Sequence, residues 1–274
     1  MAWAWVILGL CGLLFAACWA AGLWVGGRSK PVALAAAALT FGMIALRALF
    51  RFRPEIEYPL LSSNLYCAIR PLWVFPFAFI SLGIGARQMR RRPLRAAIEI
   101  AALALFAFAL QQPWARATFN PGDYAGAPNG DGVCMQTQDF TCGAAAAATL
   151  LTQIGFRTSE REMEQLCGAT PLTGTDEIAV CRALRMRLSG TGLRVTLERP
   201  GLDHLARQLR PVLARIKSDL LRDHWVVLLA MNDRTAVLAD PLLGKMQVPV
   251  GEFCANWRGI IVVVDEAHPS FAMR

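Results

Sequence analysis

Residues 136–151, QTQDFTCGAAAAATLL, carry one cysteine at the point where a polar loop gives way to an apolar run. Gly143 to Leu151 is mostly Ala and Leu, the strongest helix formers. Asp139 and Thr141, just ahead, are residue types that cap helices. The stretch predicts a helix that opens at or just after Cys142. Backbone N–H groups are unpaired at a helix start, and the helix dipole is positive there. Both favour a thiolate, the nucleophilic form of cysteine. A buried structural thiol is the competing reading, so the choice turns on whether the chain supplies a base elsewhere.

Working outward, the same helix sets the class of the fold. Ser159 to Leu166 reads as a second helix, with Ser159 as N-cap and Glu162 three residues on in capping-box form. TGTDEIAVCRALRMRL gives a third, starting near Thr175. LRVTLER is a strand and GLDHLARQLR a short amphipathic helix. RPVLARI, HWVVLLAM, TAVLAD and KMQVPV follow as short strands, then a helical turn in GEFCANW and a last strand in GIIVVV. Helices first and strands afterwards predict an α+β domain with an antiparallel sheet.

The 274-residue chain is 55% hydrophobic, and the apolar residues crowd into its first part. Residues 1–112 are expected to form a membrane region of about four transmembrane helices: Met1 to Gly27, Val32 to Phe50, roughly 63–86 and roughly 94–112. FAACWAAG resembles a signal cleavage site, but no positive n-region precedes it, so a retained helix is expected. Residues 113–132, including NPGDYAGAPNGDG, read as a linker. Residues 133–266 form the α+β domain and 267–274 a tail.

Arginine placement suggests an orientation. The loop RQMRRRPLR holds Arg87, Arg90, Arg91, Arg92 and Arg95, the strongest cytoplasmic signal in the chain. Arg28 and Lys30 fall on the same side; Arg51 and Arg53 argue mildly the other way. The expectation is an integral protein of a bacterial inner or cell membrane, with the domain extracytoplasmic. Membrane lipid is then one partner. The formal charge of +8 is largely a topology signal, and no aromatic–basic interleaving accompanies it, so a nucleic-acid role is not expected.

Three histidines are available as a base. His268 lies in the tail, and His204 lies on the short amphipathic helix. His224 opens the strand HWVVLLAM, and Asp240 closes the next strand, sixteen residues later. A hairpin turn at NDR makes the two cross-strand neighbours. That is the base-and-orienter arrangement a nucleophilic cysteine requires.

At this point the sequence resembles family thirty-nine of the cysteine peptidases, the papain-like, bacteriocin-processing enzymes that cut after a double-glycine leader. The likeness rests on QTQDFTCGAAAAATLL and DHWVVLLAMNDRTAVLADPLLG and covers about residues 130–265. It implies a thiol protease with Cys142 as nucleophile, His224 as base, Asp240 as orienter of the imidazole and Gln136 as oxyanion donor. It implies a peptide or protein substrate. Members of the family are often fused to an ATP-driven exporter. No GxxxxGK[ST] loop is present here, so no ATPase is expected, and export machinery is a possible separate partner. A papain-like cell-wall amidase and a non-catalytic membrane receptor remain as alternatives.

Of eight cysteines, Cys11, Cys18 and Cys67 fall in or near spans, and Cys134, Cys167, Cys181 and Cys254 share the domain with Cys142. No Cys/His ligand spacing appears, so neither metal nor cofactor is expected. An extracytoplasmic domain permits disulfides. Cys167 with Cys181 is the pair to consider, against plain buried thiols.

Overall fold

The computed structural model describes residues 2–62, 70, 72–118, 126–171, 174–218 and 223–266. The expected tail with His268, Cys67, and residues 119–125 of the expected linker lie outside these. The chain divides into two compact units, Met1–Phe119 and Asn120–Arg274.

The first unit is helical: α1 (Ala2–Gly26), α2 (Lys30–Phe52), α3 (Pro54–Glu57), a 3₁₀ turn (Tyr58–Ser62), α4 (Val74–Gln88) and α5 (Arg92–Thr118). Among the described residues, three segments are long and apolar enough to cross a membrane: Leu8–Gly26, Lys30–Phe52 and Arg92–Gln111. The third expected span is answered by α4, with 15 residues, while residues 63–69 lie outside the described ones. At 1.5 Å per residue α4 covers roughly 22 Å, less than the roughly 30 Å hydrocarbon core of a bilayer. Its glycines let it press against α1: a Cβ on Gly83 falls 2.6 Å from the Trp19 carbonyl oxygen. Phe15 stacks on Phe79 with ring centroids 5.1 Å apart, in a core shared with Cys11, Ala102 and Ala109. Helical backbone in α5 continues through Pro113 to Thr118, so the first residues of the expected linker are helical.

The second unit is α+β, as the pattern predicts. Its elements are α6 (Cys142–Gln153), α7 (Glu160–Cys167), α8 (Glu177–Arg187), β1 (Leu193–Glu198), α9 (Leu202–Ala206), β2 (Val212–Lys217), β3 (Asp223–Met231), β4 (Thr235–Asp240), β5 (Gly244–Pro249), α10 (Val250–Asn256) and β6 (Trp257–Glu266). The strands form one antiparallel sheet in the order β1-β6-β2-β3-β4-β5. The last strand returns between β1 and β2 because Ile260 to Val264 is a continuous apolar run that needs cover on both faces. Leu205 of α9 and Phe253 of α10 join Val212, Val226, Leu238 and Val263 in one buried cluster. On the other side α6 is buried along Ala144 to Leu151. The short alanine side chains let its backbone lie close to β3.

Local signals hold in detail. The β3–β4 turn is closed by Asn232, whose Oδ1 accepts from the N–H groups of Arg234 at 2.9 Å and Thr235 at 2.8 Å. Ser159 Oγ accepts from the Glu162 N–H at 3.2 Å, which is the forward half of a capping box. The Glu162 carboxylate itself goes to Thr158 and Arg187.

Candidate active site

Cys142 is the first residue of α6, where the sequence puts it, but the cap ahead of it is unusual. The Thr141 hydroxyl makes no capping bond to α6. It turns instead to the Gln138 carbonyl at 2.9 Å and the Glu160 carboxylate at 2.5 Å. The next residue, Gly143, has no room for a side chain. A Cβ there meets Thr175 Cβ at 2.7 Å and Trp225 Cδ1 at 3.1 Å. Trp225 in turn donates its indole N–H to the Thr175 carbonyl at 3.0 Å. This three-way contact seats the start of α6 on the opening end of β3, where His224 lies.

The result is a linked chain of three side chains. The Cys142 side chain lies close enough to His224 to raise the pKa of the ring. His224 Nε2 lies 2.9 Å from Asp240 Oδ1, which leaves Nδ1 for the cysteine. His224 and Asp240 are each 6% exposed. The sequence makes them cross-strand neighbours; the ladder pairs Val227 with Ala239, so the two meet along a diagonal. Asp240 is fixed from behind as well, since Oδ1 accepts the backbone N–H groups of Leu242 at 2.7 Å and Leu243 at 3.4 Å.

The electrostatics follow from these contacts. Burial pulls the His224 pKa down, but the hydrogen bonds to Asp240 and Cys142 and their charges outweigh it and raise it to about 9. Burial pushes the Asp240 carboxyl up; the His224 bond and the two backbone N–H groups overcome that and hold it below its ordinary value. His224 is thus held as the imidazolium near neutral pH. Elsewhere, burial raises the thiols: Cys134 to about 12, and Cys167 and Cys181 still further. Cys167 and Cys181, considered above as a pair, are both free and buried.

Gln136 sits on the loop before the cysteine and is tied to the far side of the site. Its backbone N–H donates to the Pro241 carbonyl at 2.9 Å, next to Asp240. Its Nε2 donates one N–H to the Gln138 carbonyl at 2.9 Å and keeps a second N–H. Its Oε1 is buried without a hydrogen-bond partner among the described residues. His204 does not join this group. It is exposed and contacts Glu198 and Gln208.

Two features escape the sequence reading. Asp223, directly before His224, bridges Arg215 at 2.6 Å and Arg258 at 2.6 Å, and Arg215 also pairs with Glu177. This network fixes the end of β3 that carries the histidine. The other is Glu160, fully buried beneath the loop 136–141. In sequence it is one of several acids in the first turn of a helix, and no spacing sets it apart from Glu162. Among the described residues no cluster of three or more His, Cys, Asp or Glu suits a metal ion.

The profile of the Peptidase C39 family matches residues 132–268. An uncharacterized protein of Methanothermobacter thermautotrophicus is 28% identical over 137 residues, which span 48% of this chain and 87% of that protein. The probable functional amyloid protease FapD of Pseudomonas fluorescens is 29% identical over 133 residues, 47% of this chain and 58% of FapD. Among solved structures, the double glycine motif protease from an AMS/PCAT transporter in complex with the leader peptide aligns with 24% identity and a TM-score of 0.43. It covers 49% of this chain and 91% of that one.

Proposed function

This chain belongs to the Peptidase C39 family and is a cysteine peptidase, and on that premise we propose that Cys142, His224, Asp240 and Gln136 perform its chemistry. The Cys142 thiolate attacks the carbonyl carbon of a peptide bond and forms a carbon–sulfur bond. The carbonyl oxygen takes the negative charge. The second N–H of Gln136 Nε2 and the backbone N–H of Cys142, unpaired at the helix start, hold that charge. His224, protonated near neutral pH, gives its proton to the leaving amine as the carbon–nitrogen bond breaks. It then takes a proton from water, whose oxygen attacks the thioester, and the cysteine leaves as thiolate. Asp240 keeps the imidazole oriented and stabilises its charge throughout.

The observation that carries this reading is the His224–Asp240 hydrogen bond of 2.9 Å beside Cys142 at the start of α6. The test is digestion of a proteome-derived peptide library by the full chain and by Cys142→Ala, with products read by mass spectrometry. Cleavage is expected for the wild-type chain and not for the variant. Cleavage that persists in Cys142→Ala overturns the assignment.

The apolar helices of the first unit are read as the membrane anchor of this peptidase. Four crossings fit the packing of that unit. Trp73, just before α4, meets Phe50 near the end of α2, with ring centroids 6.4 Å apart. At the other end of α4, Gln88 donates to the Gly26 carbonyl at 2.7 Å. These two contacts hold one end of the short helix against the end of α2 and the other against the end of α1. Arg28, Arg87 and Arg95 line one cavity of about 540 Å³ with Trp24 and Gly27, so the two arginine-bearing loops share one end of the unit. That end is assigned to the cytoplasmic side.

A further inference from the structure

Between Gln136 and Cys142 the chain makes a tight turn gathered on one oxygen. The Gln138 carbonyl receives the Gln136 side-chain N–H at 2.9 Å, the Thr141 N–H at 3.2 Å and a contact from the Thr141 hydroxyl at 2.9 Å. A loop built this way holds its own shape but not its place in the domain. Gln136 N–H to Pro241 O ties one end of it to the sheet. The other attachment is Glu160. Its Oε1 accepts the Thr137 N–H at 2.8 Å and the Thr141 hydroxyl at 2.5 Å, so one oxygen grips both ends of the turn. A hydroxyl has a single proton, and the shorter contact, to Glu160, is the stronger claim on it.

Glu160 is held as firmly as the loop it holds. It is fully buried, it opens α7, and its own N–H donates to the Gly126 carbonyl at 2.9 Å. Gly126 closes over the carboxylate so tightly that a Cβ there falls 2.5 Å from Glu160 Oε2, and that oxygen has no hydrogen-bond partner among the described residues. Leaving a buried carboxylate oxygen unsatisfied costs stability. Two bonds from Oε1 into a six-residue loop are what the arrangement obtains in return.

We propose that Glu160 is a positioning residue for oxyanion stabilisation: by clamping Thr137 and Thr141 it sets where Gln136 presents its side-chain N–H. This rests on the roles proposed above for Gln136 and Cys142. It differs from a general packing role because it acts through Gln136 and not through the Cys142–His224 pair.

Two probes of Cys142 separate these routes without knowledge of the natural substrate. Acylation by p-nitrophenyl acetate passes through a tetrahedral oxyanion, whereas alkylation by iodoacetamide forms none. Rates are measured on the full chain, less the background of Cys142→Ala, for Glu160→Ala, Glu160→Gln, Thr141→Val, Gln136→Ala and the double variant Glu160→Ala/Gln136→Ala. Glu160→Ala is expected to slow acylation roughly 10- to 100-fold, the scale of a small misplacement of a catalytic group, with alkylation within about twofold of wild type. Glu160→Gln keeps an acceptor oxygen and is expected to recover most of the loss. In the Gln136→Ala background Glu160→Ala is expected to add less than about threefold, because coupled positions are not additive.

Losses that multiply in the double variant, or alkylation that falls in step with acylation, overturn the proposal. Should Glu160→Ala fail to fold, Thr141→Val, which removes one of the two bonds, carries the test. An unchanged acylation rate in Thr141→Val then counts against the clamp. Acylation that is equal in wild type and Cys142→Ala is a different failure: it refutes Cys142 as the nucleophile.

Discussion

Asp240 reaches His224 along a diagonal of the β3–β4 ladder, with Oδ1 2.9 Å from Nε2, and the same oxygen accepts the Leu242 N–H at 2.7 Å. The carboxylate is therefore aimed by its own turn before it aims the histidine. In this it differs from an aspartate that merely pairs with a nearby cation. Its orientation is set locally, by residues 240–243, and its effect is exerted on a ring sixteen positions earlier in the chain.

Replacing Asp240 by Asn removes the charge but leaves the turn. The His224 pKa is expected to fall from about 9 toward the ordinary 6.5. The alkaline limb of the kcat/KM profile moves down with it, and turnover drops on the order of 10²-fold or more. Alkylation of Cys142 at pH 7.5 slows as well, since the imidazolium beside it is lost. A profile whose upper limb stays near the wild-type position means that Asp240 does not govern His224.

Stability carries the same signature. His224 binds its proton more tightly folded than unfolded, so its contribution is complete below the unfolded value of about 6.5 and is lost as pH rises to about 9. Between those limits the unfolding free energy is expected to fall by a few kcal/mol, on the order set by that shift. Urea unfolding of the wild-type chain and His224→Gln across this range reads it directly. Parallel pH slopes for the two proteins show that the histidine is not the cause.

Gly143→Ala is expected to destabilise by roughly 1–3 kcal/mol, because its Cβ meets Thr175 Cβ at 2.7 Å and Trp225 Cδ1 at 3.1 Å. Activity should fall further than stability explains, since the contact seats α6 against β3. The measurement is kcat at a temperature where the variant is still fully folded. Unaltered kcat removes the seating role from Gly143.

Orientation is settled by reporters fused after Arg274. Alkaline phosphatase is expected to be active, and a fluorescent protein that matures only in the cytoplasm is expected to stay dark. The reverse pattern inverts the assignment of the 87–95 loop.

What the sequence determined was local. The alanine run after Cys142 requires a helix, the Ser159 cap starts another, and the turn residues at 232–234 bring β3 and β4 together, all through interactions within a few positions. The hairpin even puts His224 near Asp240, because both lie on one local unit. Only the tertiary structure decided the rest. Cys142 and His224 meet because Gly143 allows α6 to rest on Trp225 and Thr175, a contact between segments with no pattern in common. Glu160 grips the Gln136 loop from a different helix, and in sequence it is indistinguishable from any first-turn acid. The same holds for α4, where proline and arginine obscure the hydropathy and the close approach to α1 at Gly83 is a contact between distant segments. Periodicity and capping are encoded over a few residues. Which faces meet is settled by shape and burial across the whole domain, and a linear reading does not contain that.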